Sequence, residues 1–246
     1  MRSERAYLLT EIIAISGLAW IYLIRMPMSA ADFGPLATQI AAPLPSPLVD
    51  FFICFLMWAV MMVAMMLPSA TPMVLTYARL AGGRDGANAM WTWMFAAGYL
   101  TVWTVFSVAA TAAQLTLARA AVLTNALTVA PVLGAMILGA AGIYQFTPWK
   151  SACLRHCQSP VAFFMTRWRD GAAGAFRMGL QHGASCVGCC WMLMALLFVA
   201  GVMNLVWVAS ITIFVLLEKL IPYPRAVSLT AGCTLIAAGV IVLFQR

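Results

Sequence analysis

One short stretch gathers most of the residues able to hold a soft metal: Gln181-His182-Gly183-Ala184-Ser185-Cys186-Val187-Gly188-Cys189-Cys190-Trp191. Positions i, i+4, i+7 and i+8 of an α-helix share one face. His182, Cys186, Cys189 and Cys190 have that spacing, which covers an arc of roughly 100°. Deprotonated thiols and neutral imidazole bind soft or borderline ions, Cu(I) first and Zn(II) second. A lone cysteine would read as a small hydrophobe in a core. Three of the seven cysteines and one of the two histidines within nine residues favour metal ligation or thiol chemistry. Cys186-Val187-Gly188-Cys189 is also a CxxC motif, a pattern that activates thiols near helix N-termini, so a redox role stays open beside a metal role.

Three other groups carry related chemistry. Cys153, His156 and Cys157 repeat the ligand types at i, i+3 and i+4 and share a face if their segment is helical. Met57, Met61 and Met65 align at i+4 steps, as do Met62 and Met66. Thioethers select Cu(I) over harder ions, although methionine stripes also serve as adaptable packing. Glu218 is the one acid well inside the second half of the chain. An ionisable residue at membrane depth is a functional candidate: as a ligand, as an acceptor orienting His182, or as a proton carrier. Its bland reading is an interfacial group paired with Lys219 or Arg225. Cys54 and Cys233 are isolated and read as packing.

The elements that must position these groups follow from composition. The 246 residues are 64% hydrophobic and 9% charged, with mean hydropathy +0.96. Soluble domains are about 25% charged. The reading is an all-α, polytopic transmembrane helical bundle of about seven spans forming a single integral domain over residues 1–246. The spans are expected at about 7–24, 50–67, 90–112, 127–146, 179–201, 204–221 and 226–243. No cleavable signal peptide is evident, so the first apolar run reads as a retained span. Residues 26–47, rich in proline, read as an extramembrane loop, and Gly82-Gly83-Arg84-Asp85-Gly86 as a turn. Pro68 and Pro72 interrupt the second span near its far end, with Ser69 and Thr71 placed to re-satisfy the freed backbone groups. Ala135, Gly139 and Gly142 form a narrow face for close helix contact. Gly179, Gly183 and Gly188 allow another helix to approach the cysteine stripe.

Residues 148–178 read as the longest basic connection, with Lys150, Arg155, Arg167, Arg169 and Arg177 against Asp170. With the N-terminus inside, eleven basic residues fall on the inner side and three on the outer. That positive-inside bias favours an N-in, C-out arrangement in a bacterial inner membrane. If the spans near Val202 form a tight hairpin, residues equidistant from it lie at one depth, and Cys186 and Glu218 do. The basic excess is too dispersed for a nucleic-acid surface, and no nucleotide loop, nucleophile elbow, HExxH or Rossmann fingerprint is present.

Four blocks resemble a known family. They are Trp58 to Pro68, Phe146-Thr147-Pro148 leading to Cys153-Leu154-Arg155-His156-Cys157-Gln158-Ser159-Pro160, Gly179 through Met194, and Met203-Asn204 to Glu218-Lys219. Together they are similar to bacterial proteins known as predicted metal-binding integral membrane proteins, a domain of unknown function. The resemblance spans roughly residues 55–225 and implies a helical membrane bundle with a suspected metal site. Pro222-Tyr223-Pro224 departs from the family pattern, which has glycine after the first proline.

The expectation is a membrane protein that binds a soft metal, Cu(I) before zinc, and moves it across the bilayer or passes it to a metallochaperone or metalloenzyme partner. His182, Cys186, Cys189 and Cys190 would be the core ligands. Cys153, His156 and Cys157 would act at entry or exit, and the methionines as a relay. The alternatives are a membrane thiol or metal-dependent oxidoreductase and an anchoring subunit of a metalloenzyme complex; a homo-oligomer is open. Ligands on one helix face all approach from one side, so a closed site needs a second element from among Cys153-His156-Cys157, Glu218 and the methionines.

Overall fold

The computed structural model describes residues 2–25, 47–82, 89–120, 123 and 128–244. Most of the expected loop at 26–47 and of the Gly-rich turn lies outside these residues. Among the described residues there are ten helices and no strand. They are α1 (Arg2–Arg25), α2 (Pro47–Ala81), α3 (Ala89–Arg119), α4 (Pro131–Gln145) and α5 (Pro148–Gln158). Then follow α6 (Pro160–Arg167), α7 (Gly171–Ala195), α8 (Leu197–Ala200), α9 (Leu205–Leu220) and α10 (Pro224–Phe244).

Five helices are long and apolar enough to cross a membrane: α1, α2, α3, α7 continuing into α8, and α10. Helices α4 and α5 meet at a 65° bend and pass the same test only as a pair. Helix α9 has 16 residues. Large apolar side chains cover the outside, among them Ile13, Leu18, Phe52, Val105, Ile143 and Val206, which is compatible with insertion into lipid.

Both proline positions in α2 depart from expectation. The helix does not stop near Leu67 but runs on to Ala81 through Pro68 and Pro72. Pro68 has no N–H, so the carbonyl of Ala64 loses its helical donor. The Trp20 indole N–H of α1 donates to that carbonyl at 3.1 Å. Ser69 and Thr71 act one step away, donating to Met66 O at 2.8 Å and Leu67 O at 3.5 Å. The group freed by Pro68 is thus satisfied across helices.

Glycines bring the backbones of α3 and α7 together. A methyl group at Gly98 would collide with the Phe176 carbonyl, and one at Gly179 with the Phe95 carbonyl. Gly183 meets Val102 and Tyr99 in the same seam. The face at Ala135, Gly139 and Gly142 is used as expected, against α10. A methyl at Gly142 would lie 2.6 Å from Ile236 Cγ1, and one at Gly239 would lie 3.0 Å from Ala135 O.

The expected basic connection over residues 148–178 is not a loop. It folds into α5, α6 and the first two turns of α7, which begins at Gly171 and not Gly179. Thr147 caps α5 by accepting from the Lys150 backbone N–H at 3.3 Å, and Pro148 follows at the first helical turn. Gly174, Ala175 and Met178 are buried along the early part of α7 while Arg177 faces out. The pattern of that segment is helical and amphipathic. Its scattered arginines only made it look like a connection.

Candidate metal centre

Helix α7 carries the thiol stripe on its buried face, as the spacing requires. Cys186, Cys189 and Cys190 are at most 1% exposed. Their sulfurs lie within 4.8 Å of one another, close enough to share an ion. Both Cys189 and Cys190 direct their thiols at the Cys186 carbonyl, at 3.0 and 2.9 Å. The cluster is therefore held by the backbone of its own helix.

A further thiol comes from α5. Cys157 is buried and its side chain lies near those of Cys186 and Cys189, outside the trio whose sulfurs all lie within 4.8 Å of one another. Helix α5 reaches α7 because the bend after α4 turns it back into the bundle. The approach is tight at Gly188, where a methyl group would sit 2.7 Å from Cys153 Sγ. The Tyr144 hydroxyl of α4 also donates to the Gly188 carbonyl. Glycine at 188 is thus what lets the Cys153 side chain sit against the stripe. His156 does not join the thiols; its Nδ1 faces the Ala152 carbonyl of its own helix at 2.9 Å.

Two further side chains touch Cys186. Lys219 of α9 places Nζ 3.1 Å from Cys186 Sγ and donates to Ser69 Oγ of α2 at 2.8 Å. The Tyr99 hydroxyl of α3 lies 3.3 Å from the same sulfur and donates to Met66 O at 2.9 Å. Neither Lys219 nor Tyr99 was found as a site residue from the sequence. Hairpin register was the available signal for Lys219, since it put Glu218 level with Cys186. The level was right and the residue was its neighbour, because successive residues on a helix point about 100° apart.

Glu218 accordingly faces elsewhere. Its carboxylate accepts from Lys150 Nζ at 2.5 Å and from Ser228 Oγ at 2.5 Å. Lys150 also donates to Gln145 Oε1, and Gln158 donates to the Glu218 carbonyl at 2.7 Å. The expected interfacial partners, Lys219 and Arg225, are replaced by a lysine from α5. Both charges of the pair are 1% exposed, so this is a buried lock joining α4, α5, α9 and α10. The carboxylate does not reach His182.

His182 stands apart from the three clustered sulfurs. Its ring stacks on Tyr99 at 5.3 Å and Phe95 at 6.1 Å, with Phe163 edge-on at 5.9 Å. Both ring nitrogens are buried without a hydrogen-bond partner. An imidazole in that condition is costly to leave unsatisfied and is suited chemically to receive an ion from the adjacent turn. Met57, Met61, Met62, Met65 and Met66 are all buried in α2. The backbone carbonyl of Met66 is linked to the cluster through the Tyr99 hydroxyl.

The donor set is soft: three clustered thiols on α7, the Cys157 thiol of α5 near two of them and an imidazole one turn away. The model of a family described as PpoB2, copper chaperone, matches residues 55–242. No curated protein and no solved structure matches the chain.

Proposed function

The chain belongs to the PpoB2 copper chaperone family, and on that premise we propose that it is a multi-pass inner-membrane protein that holds Cu(I) in the thiol cluster and hands it on. Delivery to a metalloenzyme or metallochaperone partner is the form of hand-over this family supports; passage across the bilayer is the wider version. The observation that carries the reading is the trio Cys186, Cys189 and Cys190, whose buried sulfurs lie within 4.8 Å of one another, with Cys157 of α5 beside Cys186 and Cys189. Cys157 supplies the second side that a single helix face lacks. Cu(I) accepts two or three soft donors, and thiol-to-thiol or thioether-to-thiol exchange is shallow in energy because the ligands are alike in softness.

In this reading Cys186, Cys189, Cys190 and Cys157 are the ligands. Cys153 borders them, His182 and the α2 methionines receive or deliver the ion, and His156 and Glu218 serve outside the cluster. The bundle has seven spans, N-in and C-out, with α9 as the short sixth span and the α4–α5 pair as a broken one. The site then lies toward the cytoplasmic half, where thiols stay reduced.

Metal analysis of the purified protein after copper or zinc loading tests this directly. The native chain should retain about one copper per chain, and a variant with Cys186, Cys189 and Cys190 changed to Ser should retain none. A native protein that emerges metal-free sinks the proposal. The contact between thiols also favours a second reading, a thiol oxidoreductase. Thiol trapping separates the two: a cycling disulfide supports redox work, and thiols protected only when copper is present support ligation.

A further inference from the structure

Soft ligands alone do not choose between Cu(I) and Zn(II), because thiolates hold both. The charge beside them can. Lys150 is neutralised by Glu218. Lys219 has as its partners, among the described residues, the Ser69 hydroxyl and the Cys186 sulfur. It is 8% exposed, so water does little to screen it. Ser69 fixes it from α2, and Cys186 holds it from α7. A cation is thus mounted against a ligand sulfur.

We propose that the Lys219 ammonium is a charge filter, which makes a singly charged ion the favoured guest of the thiol cluster and a doubly charged one the disfavoured guest. The proposal rests on the reading of these thiols as metal ligands. A fixed unit charge repels an ion in proportion to that ion's charge, so Zn(II) is opposed twice as strongly as Cu(I) at one position. Any effect of Lys219 on Cys186 itself is common to every ion bound there and cancels from the ratio of affinities. What remains is selectivity by charge, acting where selectivity by softness is weak. Tyr99 does not share this role: its hydroxyl is neutral and is spent on the Met66 carbonyl.

The test is the ratio of Cu(I) to Zn(II) affinity, measured in detergent by competition with chromophoric chelators. The native chain is compared with Lys219→Gln, which keeps a hydrogen-bond donor and loses the charge, and with Lys219→Arg, which keeps the charge. The ratio should move toward Zn(II) by about tenfold or more in Lys219→Gln and stay near native in Lys219→Arg. Lys219→Met reports the same quantity if the glutamine variant does not fold. An unchanged ratio in the uncharged variants, or an equal shift in Lys219→Arg, overturns the filter and leaves the copper site standing. A native chain that binds no Cu(I) overturns both.

Discussion

In the proposed site, Cys157 is the residue that would supply the second side. The spacing of His182, Cys186, Cys189 and Cys190 was readable because helical periodicity is local. Which of the candidate second elements approaches the stripe was not readable: Cys157 comes near Cys186 and Cys189 through the bend between α4 and α5. Cys157→Ser should weaken Cu(I) binding at least about tenfold, equal to 1.4 kcal/mol, in competition with bicinchoninate. Cys54→Ser should leave it unchanged, because Cys54 is on the α2 segment before the methionines and outside the cluster. Equal affinities for Cys157→Ser and the native chain would remove α5 from the site. Lys219 and Tyr99 escaped the sequence reading for a related reason. Nothing in their local pattern marks them, and only the packing of α9 and α3 against α7 brings them to Cys186.

At the level of elements, helix existence was legible and helix ends were less so. Proline usually ends a helix because it frees a carbonyl, and α2 runs through two of them because a tryptophan on another helix satisfies the first. Trp20→Phe should therefore lower stability by about 1 kcal/mol. Adding Pro68→Ala should recover most of that loss, since the new Ala N–H can bond the Ala64 carbonyl within the helix. Thermal unfolding of the detergent-solubilised protein reads both. A double variant no more stable than Trp20→Phe alone would refute this account of the continuous helix. The segment at 148–178 failed in the opposite direction. Its basic residues suggested a connection, but its apolar and small residues fall on one face of each helix and pack inward.

For the whole molecule, charge acts in two ways. Most basic residues bear on orientation, while Lys150 and Lys219 are buried in the bundle. Removing both from the eleven inner positive residues leaves nine against three, so the bias still favours N-in, C-out. A reporter enzyme active only outside the cytoplasm should accordingly be active when fused after Arg246; an inactive but folded fusion would place the C-terminus inside. The buried Lys150–Glu218 pair makes a separate prediction. Glu218→Gln leaves a lysine charge uncompensated and should cost about 3–5 kcal/mol. Lys150→Met together with Glu218→Leu should lose less than Glu218→Gln does, as judged by melting temperature. A larger loss in the double variant would mean the pair does more than hold α5, α9 and α10 together.

The sequence by itself determined most of the long helices and the types of the candidate ligands. A low charge content and long apolar runs of helical length favour helices, since a backbone placed in lipid would have to satisfy its own hydrogen bonds, and a 3.6-residue period puts His182 and three cysteines on one stripe. Tertiary structure alone decided what faces that stripe. Glycines at 98 and 179 set the depth at which α3 meets α7. The bend after α4 turned Cys157 inward, and the rotation of α9 sent Lys219 to the thiols and Glu218 to Lys150. Periodicity specifies which side chains share a face of one helix. The rotation and approach of two helices depend on atoms far apart in the chain, and no local pattern encodes them.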